Sequence, residues 1–179
     1  MPEIEIRPAV SADLPVLANL DHSYQSDYAW QMDVQADSGQ FNIHFRQVRL
    51  PRAAKILYPR NMELLLSERL SDSIILSAIM EGIPIGYLRI KDNFLPGTVW
   101  VMDGAVHVQV RRKGIATALL LAAQDWAAQR NFRRIVCEMQ SKNFPAIRVM
   151  QKLGFEFGGY SDHYYSNQDI ALFFNRLIR

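Results

Sequence analysis

Arg111-Arg112-Lys113-Gly114-Ile115-Ala116 sits between two different periodicities. Val101 to Val110 alternates as a strand does, and Thr117 to Arg130 is a long run of helix formers. A strand that passes through a basic, glycine-containing turn into a helix aims several free backbone N–H groups at one spot. The positive end of the helix dipole points at the same spot. Such a spot binds phosphate. Gly114 has no Cβ and lets an anion come close. Arg111, Arg112 and Lys113 add charge around it.

Val106-His107-Val108-Gln109-Val110-Arg111-Arg112-Lys113-Gly114-Ile115-Ala116 resembles the acetyl-coenzyme A motif of the GNAT superfamily of N-acetyltransferases. That motif reads Arg/Gln-x-x-Gly-x-Gly/Ala after a strand, and Arg111, Gly114 and Ala116 fill its fixed positions. Downstream, Asn143-Phe144-Pro145-Ala146 followed by Met150-Gln151-Lys152-Leu153-Gly154-Phe155 resembles the superfamily's second signature, Asn-x-x-Ala and then Tyr-x-Lys-x-Gly-Phe. The resemblance is clearest from about residue 72 to the C-terminus. It implies an α/β fold of GNAT type, a mixed, mostly antiparallel twisted sheet flanked by helices on both faces. It also implies one such domain over residues 1–179.

The order of elements read from periodicity agrees. Glu3 to Arg7 alternates, and Ser11 is placed to cap a helix with Leu14, Leu17, Ala18 and Leu20 on its apolar side. His22 to Gln40 reads as a helix and a loop. Phe41 to Leu50 alternates as a half-exposed strand that Pro51 should end, and Asn61 to Leu70 reads as a short helix. Ser73 to Met80 and Ile85 to Ile90 form two antiparallel strands about a turn at Glu81-Gly82-Ile83-Pro84. Then come a strand from Val99 to Val110, a helix from Gly114 to Arg130, a strand from Arg134 to Met139 and a helix from Asn143 to Leu153. Strands at Gly154 to Tyr160 and Asp169 to Leu177 finish the chain.

Composition is that of a globular domain, with 49% hydrophobic and 21% charged residues. The charged N-terminal stretch predicts no secretory leader, and the Ala116 to Ala123 run is too short to span a bilayer. A lone cysteine, Cys137, forms no internal disulfide, so a cytoplasmic setting is expected. The net charge of +2 is too small to point to nucleic acid or to a membrane surface. The four histidines have no metal-ligand spacing, and no metal is expected. The oligomeric state is left open, a homodimer included.

The resemblance assigns roles to particular residues. The N–H groups from Arg112 through Lys113, Gly114, Ile115 and Ala116 to Thr117 would cradle the cofactor's pyrophosphate, with Arg111 beside them. The peptide-like pantetheine arm would pair with the backbone at Val106 and Val108, as an added strand does. The Val106 N–H would face the oxygen that gains charge when an amine attacks the thioester. Asp103 is the first candidate for taking the amine's proton, and Glu138 the second. A tyrosine of the second signature often protonates the leaving thiolate, and here Met150 stands in its place. Tyr160, Tyr164 and Tyr165 follow nearby, and Tyr164 is the candidate acid. Asn143 would bind the cofactor arm or cap its helix.

The stretch from Phe155 to Phe174 is similar to the tail of streptothricin acetyltransferase-like members. One independent feature concerns the acceptor. From Pro8 to Phe45 the chain has five aspartates and no Lys or Arg, with Tyr24, Tyr28 and Trp30 among them. Acids with aromatics suit a cationic amine, and a solvated helix face explains the pattern as well. The expected activity is transfer of acetyl from acetyl-CoA to a primary amine of a small cationic molecule, by direct attack in a ternary complex. A protein N-terminus or lysine as acceptor, and a non-catalytic acyl-CoA sensor, are the alternatives.

Overall fold

Ile75 and Leu76 point to opposite faces of one strand, and that division organises the molecule. A computed structural model describes residues 3–59 and 73–178. Its strands are β1 (Ile4–Pro8), β2 (Tyr24–Asp37), β3 (Gln40–Ile56), β4 (Ile74–Met80) and β5 (Ile83–Leu95). Then follow β6 (Thr98–Val106), β7 (Arg134–Gln140), β8 (Glu156–Ser161) and β9 (Ala171–Leu177). The helices are α1 (Leu14–Ala18), α2 (Ile115–Ala128) and α3 (Phe144–Lys152). Among the described residues, one sheet has seven strands in the order β1-β4-β5-β6-β7-β9-β8, and β2 pairs with β3 in a separate ribbon. Every pairing in the large sheet is antiparallel except β6 with β7.

On one face, Leu76, Ala78, Leu88 and Ile90 pack with Ile115, Leu119, Leu120 and Ala123 of α2 in the main core. The other face carries Ile75 and Tyr87, which bury Leu17 and Leu20 of the α1 segment. Helices therefore cover both faces. Burying each such aliphatic side chain contributes about 1.5–3 kcal/mol before entropy is counted. Cys137 lies inside the main core, where burial pushes its thiol well above the ordinary range, so it is inert.

Four expectations are corrected. The α1 helix is capped at Asp13, not Ser11. Asp13 accepts two bonds from Arg7, at 2.6 and 3.1 Å, and one from the Val10 N–H at 2.9 Å. The region read as a helix and a loop is the strand β2. Pro51 does not end β3, because residues 50–53 bulge out between the Tyr28–Arg49 and Ser26–Ala54 pairs. Proline is tolerated in such a bulge, since it has no ladder bond to lose there. The strand expected to run to Val110 ends at Val106, and Val108–Val110 is a turn of 3-10 helix. The helix expected at Asn61 to Leu70 lies outside the described residues.

The β2–β3 ribbon has an apolar face. Val34 faces Ile43, Met32 faces Phe45 and Ala36 faces Phe41 across the two strands. Its inner part docks on the large sheet. Trp30 N–H donates to the Ser141 carbonyl at 2.9 Å, and Tyr28 packs on Phe144 at 4.8 Å. Phe45 meets Phe157 and Tyr160 with ring centroids at 5.4 and 5.1 Å.

Candidate active site

The sheet is split at its centre. β6 pairs with β7 only from Thr98–Arg134 to Val101–Cys137. Beyond that point β6 continues on β5 as far as Val106, while β7 continues on β9 as far as Gln140. Two local devices hold β6 to β5. Met102 is an extra residue between the Arg89–Asp103 and Ile90–Val101 pairs, a bulge that re-aims the strand. At Gly104 an added Cβ would lie 2.5 Å from Leu88 Cδ2 and 2.7 Å from the Tyr87 carbonyl oxygen, so only glycine allows this approach.

The alternation of an antiparallel ladder decides where Val106 points. The His107 N–H donates to the Ile85 carbonyl at 2.7 Å. The neighbouring Val106 therefore turns its own N–H and carbonyl away from β5, toward the side that β7 has left. Its carbonyl is already taken, by Arg111 Nε at 2.8 Å. Val108 is not in the strand, so its expected strand-like pairing is replaced by backbone of the 3-10 turn.

The turn that follows is built for an anion. Arg112 and Gly114 both have left-handed backbone, with φ of 64° and 86°. The first bond of α2 runs from the Ala118 N–H to the Gly114 carbonyl at 2.9 Å. The N–H groups of Ile115, Ala116 and Thr117 precede it and have no partner within the helix. An added Cβ on Gly114 would meet nothing within 4 Å, so the backbone angle requires glycine there and the approach stays open. Arg112 and Lys113 are exposed, whereas the Ile115 side chain is packed in the core. Ile115 can thus serve a ligand only through its backbone.

Arg111 does something the sequence did not show. Besides Val106, its guanidinium donates to the Ser23 carbonyl at 2.8 Å and to the Asp21 carbonyl. The side chain is a clasp between the phosphate turn and the segment that leads into β2. Asn143 caps α3 with its side-chain oxygen, which accepts from the Ala146 N–H at 3.2 Å.

On the α1 face of the split lies a buried polar chain. Tyr87 donates to Asp103 Oδ1 at 2.9 Å and Arg89 Nε to Oδ2 at 2.8 Å. Asp103 is 8% exposed and Tyr87 fully buried. Asp103 therefore has both oxygens engaged and is closed to an incoming amine. Burial, and then the charge of Asp103, push the Tyr87 hydroxyl far above its ordinary range, so it keeps its proton. His22 Nε2 lies 2.9 Å from the same hydroxyl.

Across the split, Glu138 is the first β7 residue beyond the last β6 pair. Its Oε2 accepts from the Tyr164 hydroxyl at 2.8 Å. The structure thus joins the second candidate base to the candidate acid. Tyr164 is 41% exposed, while Tyr165 is buried. Met150 is buried in the main core. Tyr160 leans on the ribbon through Phe45.

The acid-rich segment is not uncompensated. Pairing with β3 sets Asp33 against Arg46 at 3.1 Å. Asp21 is held below the usual carboxylate range by hydrogen bonds from Ser23, with Lys55 and Arg111 adding to the effect. Among the described residues, no group of three or more His, Cys, Asp and Glu could hold a metal ion. No helix among them is long and apolar enough to cross a membrane.

Known proteins resemble this chain in sequence and in fold. Streptothricin acetyltransferase A of Bacillus subtilis is 34% identical over 98 residues, 52% of this chain and 56% of that protein. An N-alpha-acetyltransferase of Saccharolobus solfataricus is 35% identical over 104 residues, 56% of this chain and 61% of that protein. The matched stretches thus span little more than half the length of these relatives. A candidate streptothricin acetyltransferase from Bacillus anthracis, solved with acetyl coenzyme A, superposes with a TM-score of 0.78 at 22% identity, over 98% of this chain and 99% of that one. At that identity the superposition shows the fold. Residues 41–155 match the model of the acetyltransferase (GNAT) family, and the chain belongs to that family.

Proposed function

We propose that this protein is an acyl-CoA-dependent N-acetyltransferase that moves acetyl from acetyl-CoA to a primary amine of a small cationic molecule. The observation that carries the reading is the pairing of two features at one split. A left-handed turn offers free N–H groups to a pyrophosphate, and the Val106 N–H points into the gap beside it. The distance from a phosphate turn to a thioester is spanned by a pantetheine arm, and the unpaired edge of β6 offers that arm backbone partners. Arg112, Lys113 and the N–H groups from Gly114 to Thr117 hold the phosphates.

The chemistry then follows from charge. The acetyl carbonyl accepts a hydrogen bond from the Val106 N–H, and that bond strengthens as the oxygen becomes negative. The amine attacks directly, both substrates being bound at once. Tyr164, hydrogen-bonded to Glu138, stands on the opposite wall and supplies a proton to the departing thiolate. Similarity to streptothricin acetyltransferase A supports a polybasic small molecule as acceptor. The similar identity to an archaeal N-alpha-acetyltransferase supports a second reading, a peptide N-terminus.

Thiol release from acetyl-CoA separates the readings. The expected result is turnover with streptothricin and with a free polyamine, and little with unstructured N-terminal peptides. Faster turnover with peptides would replace the first reading by the second. Tight acetyl-CoA binding with no thiol release over the whole panel would leave a sensor.

A further inference from the structure

We infer that His22 takes the proton from the attacking amine, and that Tyr87 and Asp103 act through it by orienting its ring. This assignment rests on the acetyl-transfer reading above and names the base that reading requires.

Three observations carry it. The first is place. One guanidinium, that of Arg111, donates to the Val106 carbonyl and to the carbonyls of Asp21 and Ser23, which flank His22. His22 is therefore clasped within one side chain's width of the backbone that faces the thioester. The second is connectivity. His22 Nε2, the Tyr87 hydroxyl, Asp103 and Arg89 form a continuous chain with contacts of 2.9, 2.9 and 2.8 Å. It runs inward from a half-exposed ring to a buried ion pair. The third is polarity. Tyr87 has one hydroxyl proton and gives it to Asp103, so Nε2 must be the donor to the Tyr87 oxygen. In the neutral ring that leaves the lone pair on Nδ1, and the hydrogen bond between the ring and the Leu20 backbone raises the ring's affinity for a proton.

The surroundings keep the ring neutral before reaction. Burial lowers the affinity of His22 for a proton, and Arg111 lowers it further, against opposing contributions from the Leu20 backbone, Asp103 and Asp21. The Tyr58 ring also faces it, with centroids 5.6 Å apart. Once charged, the imidazolium keeps an acceptor on Nε2 in the Tyr87 oxygen, backed by the Asp103 carboxylate.

The step balances. The ammonium gives one proton to Nδ1 of His22, and the freed lone pair forms the N–C bond to the thioester carbonyl. Collapse breaks the C–S bond. Tyr164 gives its proton to the thiolate and regains one from the nitrogen of the new amide, and His22 releases its own to solvent.

The test is kcat/KM against pH, with streptothricin and a free polyamine as acceptors. Wild-type activity should fall as pH drops below the ordinary histidine range, where His22 becomes charged. His22→Gln should lower kcat about 100-fold, remove that acid limb, and leave the acetyl-CoA Kd within about twofold. Tyr87→Phe keeps the packing but removes the acceptor on Nε2. It should move the limb to lower pH, which a purely structural role would not do. An unchanged limb in either variant, or kcat within about threefold for His22→Gln, overturns the assignment. Imidazole nitrogen NMR of the wild-type protein needs no acceptor. A neutral Nε2–H tautomer of His22 near pH 7 is expected, and an Nδ1–H tautomer overturns the assignment. No transfer to either amine, with the Nε2–H tautomer present, counts against the acceptor class and for His22.

Discussion

The phosphate turn and the β2–β3 ribbon follow opposite logic. The turn is local. Its strand, its glycine and its helix start lie within about twenty residues, and each residue type is set by its own backbone. The ribbon is not local. Asp33 finds its base, Arg46, on the other strand, and the apolar face finds the large sheet through Ser141, Phe144, Phe157 and Tyr160. A turn of the first kind recurs wherever a phosphate must be held. A ribbon of the second kind is free to vary with what it covers, and under the proposed function it covers the acceptor side.

If the turn is as local as this, one residue should break it. Gly114→Val puts a β-branched side chain at φ 86°, which L residues adopt only at substantial cost. The backbone should relax and withdraw its N–H groups from their common focus. The acetyl-CoA Kd should rise about 100-fold, worth roughly 2.7 kcal/mol, by calorimetry. Gly114→Ala should fall between. Affinity unchanged in both would mean that the phosphates bind elsewhere.

The same contrast explains what could be read from the sequence. The strands from Ile74 onward, the turn and α2 were legible because hydrophobic period and turn chemistry are short-range signals. The strand β2 was misread, although its signal was present. Tyr24, Ser26, Tyr28, Trp30, Met32, Val34 and Ala36 alternate with polar residues at nearly every step, and Ser38-Gly39 closes a two-residue turn before β3. Other features had no linear signal at all. The clasp of Arg111 on carbonyls some ninety residues earlier, and the chain from His22 to Arg89, exist only once β5, β6 and the α1 segment meet. Asp103 is the first candidate base in the sequence, and in the structure Tyr87 and Arg89 engage both of its oxygens.

The ribbon can be loosened without touching the turn. Phe45 holds it down through two aromatic pairs, each worth about 0.5–1.5 kcal/mol beyond burial. Phe45→Ala should raise the acceptor KM about tenfold and leave the acetyl-CoA Kd within about twofold. Steady-state kinetics with each substrate varied in turn would show the split. An equal loss on both sides would mean that the two regions are one cooperative unit.

A smaller effect is expected at Met150, which is buried in the main core. If protonation of the thiolate does not limit the rate, Met150→Tyr should change kcat by no more than about threefold. A gain near 100-fold, about 2.7 kcal/mol of barrier, would show that the missing hydroxyl limits turnover and that Tyr164 does not replace it.

The smallest effect tests the charges of the ribbon itself. Read in sequence, Asp33 belongs to an acidic run with no base, and its removal, like that of Asp27, should raise the KM of a cationic acceptor. In the structure it pairs with Arg46 at 3.1 Å, and the two side chains are 46% and 63% exposed. An exposed pair of this kind contributes about 0–1 kcal/mol, and its field a few ångströms away is largely cancelled. Asp33→Asn should therefore change the acceptor KM less than about twofold at 0.1 M salt, where screening acts over about 10 Å. Arg46→Gln, which uncovers the carboxylate, should lower that KM by a similar small factor, and added salt should erase the gain. A severalfold rise in KM for Asp33→Asn would show that the acceptor touches this carboxylate directly. The ribbon would then be part of the binding wall and not only its cover.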